Sequence, residues 1–256
     1  MTLPRNPIVV IPARLASTRY PDKPLANLLG EPMIVHVWRH AVAADLGPVL
    51  VACGDAAIAD AIDRAGGDAV MTDANLPSGS DRVYQAVERI DPDGAYDAVI
   101  NVQGDLPTIE PDFIAAALAP LAEPKADIAT LAAVITKARE RTDPNVVKIV
   151  LAMADGETIG RALYFSRNAV PSGEGPLYHH IGLYAFRRLA LARFVGLPRS
   201  ILENREQLEQ LRALEAGMRI DAALVDTVPL GVDTPADLAL ARSILISRAP
   251  NAEIPK

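Results

Sequence analysis

Residues 11–25, IPARLASTRYPDKPL, place Arg14, Arg19 and Lys23 in one loop directly after an apolar run. A guanidinium bonds phosphate oxygens in pairs and a lysine adds a point charge, so three such cations at one strand end suit a polyphosphate. Single cationic loop residues are mostly solvated. Three together stand out in a chain of net charge -7, where any anionic ligand must be held by locally placed cations. A pair of carboxylates is the second feature. Asp105 ends VINVQGD, an apolar strand that delivers an acid to the rim of a sheet, and Asp233 lies in GVDTP, just past another strand. Magnesium takes hard oxygen ligands, few from the protein and the rest from phosphate and water. The stretch Asp233-Thr234-Pro235 also reads as an ordinary helix start, with Asp233 or Thr234 as the cap. Asp105 has no comparable alternative.

Several chemistries are excluded or disfavoured. Neither G-x-G-x-x-G nor G-x-x-x-x-G-K-[ST] follows the first strand, which speaks against a dinucleotide fold or a P-loop. The acidic balance disfavours nucleic acid and anionic lipid as partners. Cys53 is the only cysteine, so there is no internal disulfide or multi-cysteine metal site, and a reducing compartment is suited. The apolar run near the start is too short for a signal segment, and nothing later approaches a membrane span. The expectation is a soluble cytoplasmic protein, and 256 residues, half of them hydrophobic, are enough for a large α/β core.

The elements that must position these groups follow from periodicity. Residues 8–11 and 49–53 are buried strands, 33–44 and 56–65 helices, 69–72 a short strand, 81–90 a helix and 98–102 a strongly apolar strand. This alternation predicts a mostly parallel, doubly wound sheet, with ligands at the carboxyl ends of its strands, where both the 11–25 loop and Gln103-Gly104-Asp105 fall. After Pro124 the rhythm changes: 128–135 and 146–153 read as strands without a crossover helix, which predicts a smaller antiparallel portion. Alternation over 178–186 puts His180 and Tyr184 on one face. A helix over 202–215 would carry Glu203, Glu206, Gln207 and Gln210 on one stripe. Residues 220–226 read as a last strand, 235–246 as a closing helix, and the tail from 247 as disordered.

Eight blocks in order, IPARLASTRYPDKPL, SGSDR, NVQGD, DPNVVKIV, ALYFSR, HHIGLYAFR, LEQLR and GVDTPADL, resemble the 3-deoxy-manno-octulosonate (Kdo) cytidylyltransferases, across nearly the whole chain. The resemblance implies a glycosyltransferase-A-like nucleotidyltransferase, a homodimer that uses Mg2+ and joins CTP to Kdo, giving CMP-Kdo and pyrophosphate for lipopolysaccharide synthesis. It implies one domain over 1–246, with about 7–125 and 218–246 as nucleotide-binding core, about 126–217 for sugar binding and dimerisation, and a tail at 247–256. Carried over by motif, Pro12, Ala13, Arg14, Arg19, Lys23, Ser80, Arg82 and Asp105 would hold the nucleotide, Arg14, Lys23, Asp105 and Asp233 would be catalytic, and the two aspartates would bind magnesium. Gln103, His180, Tyr184, Glu206 and Gln210 would contact the sugar. His180 is expected to orient a hydroxyl rather than act as general base, since metals more often activate the nucleophile in such reactions. The alternatives are a cytidylyltransferase for another acidic sugar, such as 8-amino-Kdo or an acylneuraminate, and a non-catalytic nucleotide-binding homologue. The chain departs from the pattern at Leu106, where GDEP is common, at Gly54, and in a short 172–177 connection.

Overall fold

The computed structural model describes residues 2–16 and 20–248. Arg19 and the tail beyond 248 lie outside the described residues. In chain order the main elements are β1 (Pro7–Ala13), β2 (Asn27–Leu28), β3 (Glu31–Pro32), α1 (Met33–Ala43), β4 (Val49–Cys53), α2 (Ala56–Arg64), β5 (Asp68–Met71), α3 (Gly79–Ile90), β6 (Ala98–Asn101), α4 (Pro111–Leu118), β7 (Ile128–Val134), β8 (Lys148–Ala152), β9 (Ile159–Ser166), β10 (Tyr178–Arg187), α5 (Arg188–Val195), α6 (Ile201–Glu206), α7 (Leu211–Glu215), β11 (Ile220–Leu224) and α8 (Pro235–Arg248). The chain divides into two compact units. One comprises Pro7–Tyr96, Asn101–Ile114 and the chain from Pro229; the other comprises the chain up to Asn6, Asp97–Ile100 and Ala115–Val228.

In the first unit β5, β4 and β1 pair in parallel, in that order, with Val9 opposite Val49 and Ala13 opposite Cys53. Ile8 to Ile11 and Val51 to Cys53 are buried. Each such branched side chain is worth roughly 1.5–3 kcal/mol of transfer free energy, and that is why these strands carry continuous apolar runs rather than alternation. Helix α1 contributes Met33, Ile34, Val37 and Ala41 to the core. A separate apolar cluster of Leu28, Met33, Val232, Leu238 and Ala241, with Tyr20, Ala26, Leu230 and Leu245 against it, fastens α8 and the GVDTP segment onto residues 20–33. At its far end α8 is held by Arg248, which donates to the Thr108 carbonyl. It runs two residues past the expected stop at 246.

The second unit has a mixed sheet. β10 lies antiparallel to β7, β11 parallel to β7, and β9 antiparallel to both β11 and β8. The sequence reading placed β11 with the nucleotide-binding core; its pairing with β7 and β9 puts it in this unit. β9 and α5 were not expected as elements at all. β10 carries an irregularity: Ile181 pairs with Leu131, but the next pair is Tyr184 with Thr130. Two extra residues, Gly182 and Leu183, preserve the parity of the strand, so His180 and Tyr184 do share a face, with ring centroids 5.6 Å apart.

The single helix expected over 202–215 is two helices. Gln207 has φ 55, a left-handed conformation that ends α6, and α7 restarts at Leu211. Helix α6 opens with a capping box, in which the Ser200 hydroxyl and the Glu203 carboxylate each accept from the other's backbone N–H. The break removes the polar stripe that periodicity suggested.

Candidate active site: a cation-lined cavity

A cavity of about 410 Å³ opens in the first unit at the carboxyl end of β1, lined by Pro12, Ala13, Arg14, Lys23, Arg82, Gln103 and Asp105, with Ala16, Pro24, Ser78, Gly79 and Gly104 completing it. Seven of the residues proposed from sequence thus share one wall-to-wall space. Ser80 does not line it; it is buried in the first turn of α3, and Ser78 and Gly79 take its place. The SGSDR motif marked this turn, but which of its small residues faced outward depends on the helix start, two residues earlier than periodicity suggested.

Two contacts shape the loop. The Leu15 N–H donates to Asp55 Oδ2 at 2.8 Å, and the Gly54 N–H to the Ala13 carbonyl at 2.9 Å, so the cationic loop is pinned to the end of β4. Gly54 is required by its neighbours: a Cβ there would stand 2.9 Å from Arg82 Nη1 and 3.1 Å from Arg14 Cβ. Gly104 is similarly constrained, since a Cβ would meet the Pro12 carbonyl oxygen at 2.9 Å. Both glycines let cationic and acidic chain segments close on the same space.

Arg82 is buried, and among the described residues it donates to neutral oxygens, the Thr72 hydroxyl and, at 3.3 Å, the Ala74 carbonyl. Burial, and then the adjacent Arg14, pull its pKa below the ordinary arginine value. Asp55 and Asp73 lie near enough to act on this charge, but among the described residues no carboxylate is hydrogen-bonded to it, which leaves the guanidinium capacity for an anionic ligand.

The two aspartates meet at Lys23. Its Nζ donates to Asp105 Oδ2 at 2.9 Å and to Asp233 Oδ1 at 3.2 Å, across 210 residues of sequence in the second case. The apolar cluster under α8 brings Asp233 there, and the Val232 N–H bonds to the Asp105 carbonyl at 2.9 Å. Thr234, not Asp233, caps α8. The Asp237 N–H donates to the Thr234 hydroxyl at 3.2 Å, and the Asp237 carboxylate accepts from the backbone N–H groups of Asp233 and Thr234. Those bonds outweigh the desolvation that would raise the Asp237 pKa and hold it below the usual range. The capping box frees the Asp233 carboxylate to point at Lys23.

Does this pair fit magnesium? Lys23 Nζ is a stand-in cation, within hydrogen-bond reach of one oxygen from each acid. Among the described residues no group of three or more His, Cys, Asp or Glu gathers as for a protein-caged metal. Two carboxylates beside a cation-lined cavity match the habit of Mg2+, which keeps water and takes substrate oxygens.

Comparison with known proteins supplies the family. A cytidylyltransferase family model matches residues 8–220. The 3-deoxy-manno-octulosonate cytidylyltransferase of Paramagnetospirillum magneticum is 64% identical over 240 residues, covering 94% of this chain and 98% of that one. The enzyme of the same name from Rhodospirillum centenum is 66% identical over 245 residues, covering 96% and 95%. The chain belongs to the 3-deoxy-manno-octulosonate cytidylyltransferase family. A solved structure of CMP:2-keto-3-deoxy-manno-octonic acid synthetase complexed with CTP shares the α/β fold and mixed sheet, at TM-score 0.87 and 36% identity, covering 95% of this chain and all of that one. No helix among the described residues is long and apolar enough to cross a membrane.

For this family member the other sugar-contact candidates, His180, Tyr184, Glu206 and Gln210, all belong to the second unit. His180 is buried against Phe165 and Tyr184, and its Nε2 lies 3.0 Å from the Thr130 hydroxyl. Burial, and then His179, push its pKa down to about 3, so the ring is neutral near pH 7. Burial likewise raises the Tyr184 phenol. Glu206 accepts from the Ser166 hydroxyl at 2.9 Å, the Arg167 N–H at 3.0 Å and the Tyr164 hydroxyl at 3.3 Å, tying the end of α6 to β9. Gln210 is buried at the start of α7.

Proposed function

We propose that the chain transfers CMP from CTP to the anomeric hydroxyl of Kdo. The incoming oxygen forms a bond to the α-phosphorus, the bond from that phosphorus to the bridging oxygen breaks in line, pyrophosphate leaves with that bonding pair, and the hydroxyl proton passes to solvent water. The observation that carries the proposal is the convergence, in one cavity, of Arg14, Lys23, Arg82 and Asp105, with Asp233 brought to the same lysine. The named relatives and the CTP-bound neighbour support the choice of nucleotide and sugar.

Each residue has a physical task. Both substrates are anions, so holding them together needs neutralisation as well as placement. Arg14 and Arg82 bind phosphate oxygens with fixed forks, and Lys23 supplies a point charge on a flexible stem. Orientation alone is worth roughly 7–11 kcal/mol of barrier when reactants are well aligned. Magnesium held by Asp105 and Asp233 would supply Lewis-acid stabilisation of phosphate charge. Gln103, on the cavity wall, offers an amide donor and acceptor for a substrate hydroxyl. No proton abstraction is assigned to His180, because a ring with pKa about 3 is a poor base near neutrality.

The doubly wound, glycosyltransferase-A-like arrangement, a cytoplasmic location and a role in lipopolysaccharide synthesis belong to the same proposal. So does a homodimer, which exposed Leu163, Leu189 and Ile201 in the second unit support. Pyrophosphate release, measured with each nucleoside triphosphate crossed against Kdo, 8-amino-Kdo and an acylneuraminate, tests the reading. Turnover is expected with CTP and Kdo. A clear preference for another acidic sugar would overturn the substrate assignment, and no turnover with any pair would overturn the reaction.

A further inference from the structure

Both carboxylates hold one of the chain's own lysines. Lys23 Nζ stands 2.9 Å from Asp105 Oδ2 and 3.2 Å from Asp233 Oδ1, with its side chain 14% exposed and theirs 36% and 44%. A divalent ion bound by the same two oxygens would sit about 2.0–2.1 Å from each. An ammonium within hydrogen-bond distance of both fills that volume and neutralises that charge, so the two cations exclude each other. Lys23 also lines the cavity with Arg14 and Arg82, where phosphate oxygens offer its ammonium another partner.

We propose that Lys23 is an internal counter-ion that bars Asp105 and Asp233 from the divalent metal until a nucleoside triphosphate draws the ammonium away, so that metal and nucleotide load as a pair. This rests on the metal reading given above. The exchange has a physical driving force in both directions. Two neighbouring carboxylates repel more strongly when a shared cation is withdrawn, so the departure of Lys23 is favoured by the arrival of the metal. A triphosphate without its neutralising lysine is bound less well, so the metal that releases Lys23 improves nucleotide binding. Because coupling between two ligands is reciprocal, nucleotide must tighten metal binding by the same factor.

The test is Mn2+ binding to the full chain, followed by the EPR signal of the free ion, without nucleotide and then with CTP in the absence of any sugar. Wild type should bind Mn2+ weakly alone and much more tightly with CTP. Lys23→Met, which removes the charge and keeps the stem, should bind Mn2+ at least about tenfold more tightly than wild type without nucleotide, and gain less from CTP. Lys23→Gln gives a second neutral variant should the first fold poorly by circular dichroism. Affinity unchanged or weakened in both neutral variants overturns the inference, provided that Asp105→Asn added to Lys23→Met lowers Mn2+ binding. If that double variant binds Mn2+ as well as Lys23→Met does, the carboxylates are not the site, and the metal reading fails together with the inference.

Discussion

Lysine and arginine are treated in opposite ways by the two units. In the second unit Lys148 is fully buried and donates to the carbonyls of Asp143 at 2.6 Å and Arg167 at 3.1 Å, tying the DPNVVK segment to the end of β9. Arg212 is equally enclosed. It makes a two-pronged pair with Glu203, at 2.7 and 2.9 Å, and lies over the Phe194 ring with its guanidinium carbon 5.2 Å from the centroid. In the first unit Arg82 is also buried but bonds neutral oxygens, and Lys23 holds two partly exposed carboxylates, of which Asp105 lines the cavity. A cation whose partners are complete within the chain holds architecture. One that faces an open space with bonding capacity left is available to a ligand.

That contrast can be broken by experiment. The largest effect is expected from Asp105→Asn, which removes a charge facing the cavity while leaving the backbone intact: kcat should fall on the order of a thousandfold, equivalent to several kcal/mol, with the unfolding midpoint nearly unchanged. Steady-state kinetics beside thermal unfolding decides it, and a protein that loses both activity and stability would make Asp105 architectural. Glu203→Ala should do the reverse, since it takes from the enclosed Arg212 its two-pronged carboxylate partner. A loss of about 3–5 kcal/mol in urea unfolding is expected, because the remaining charge stays desolvated. A loss below about 1 kcal/mol would show that the pair behaves like a solvated one.

Arg14→Ala should raise the KM for CTP about tenfold with a smaller change in kcat, as expected of one charge-assisted contact. An unaltered CTP dependence would remove it from the phosphate site. The smallest expected effect lies in the pH dependence of stability. His180 has a folded pKa below its unfolded value of 6.5, so its contribution is full above that pH and is lost as pH falls from 6.5 towards about 3. The wild-type slope should therefore exceed that of His180→Gln in this window by at most about 1.4 kcal/mol per pH unit, and the two should run parallel above pH 7. Parallel curves throughout would show that the histidine is hydrated.

What could be read in the sequence was decided by locality. The apolar runs of β1, β4 and β6 and the glycine-ended α2 are local patterns, and they were legible. The convergence of Asp105 and Asp233 was inferred from strand ends, whereas its agent, the Leu28–Met33–Val232–Leu238 cluster, has no local signature. The division of 202–215 into α6 and α7 was hidden because a left-handed glutamine carries no sequence mark, unlike a glycine at such a position. The strand at 159–166 escaped notice because its sequence, IGRALYFS, mixes charge and glycine into a run whose alternation is short. Ser78 was overlooked in favour of Ser80 because a shift of two residues in a helix start changes which hydroxyl faces outward.

The bond from the Val232 N–H to the Asp105 carbonyl, with Lys23 beside them, joins the opening loop, the middle and the closing stretch of the polypeptide. On the role proposed for Asp233, a ribosome that has emitted every element up to β11 has made no competent catalyst, and a product terminated before GVDTP is expected to be inert towards CTP turnover however well its earlier strands had folded.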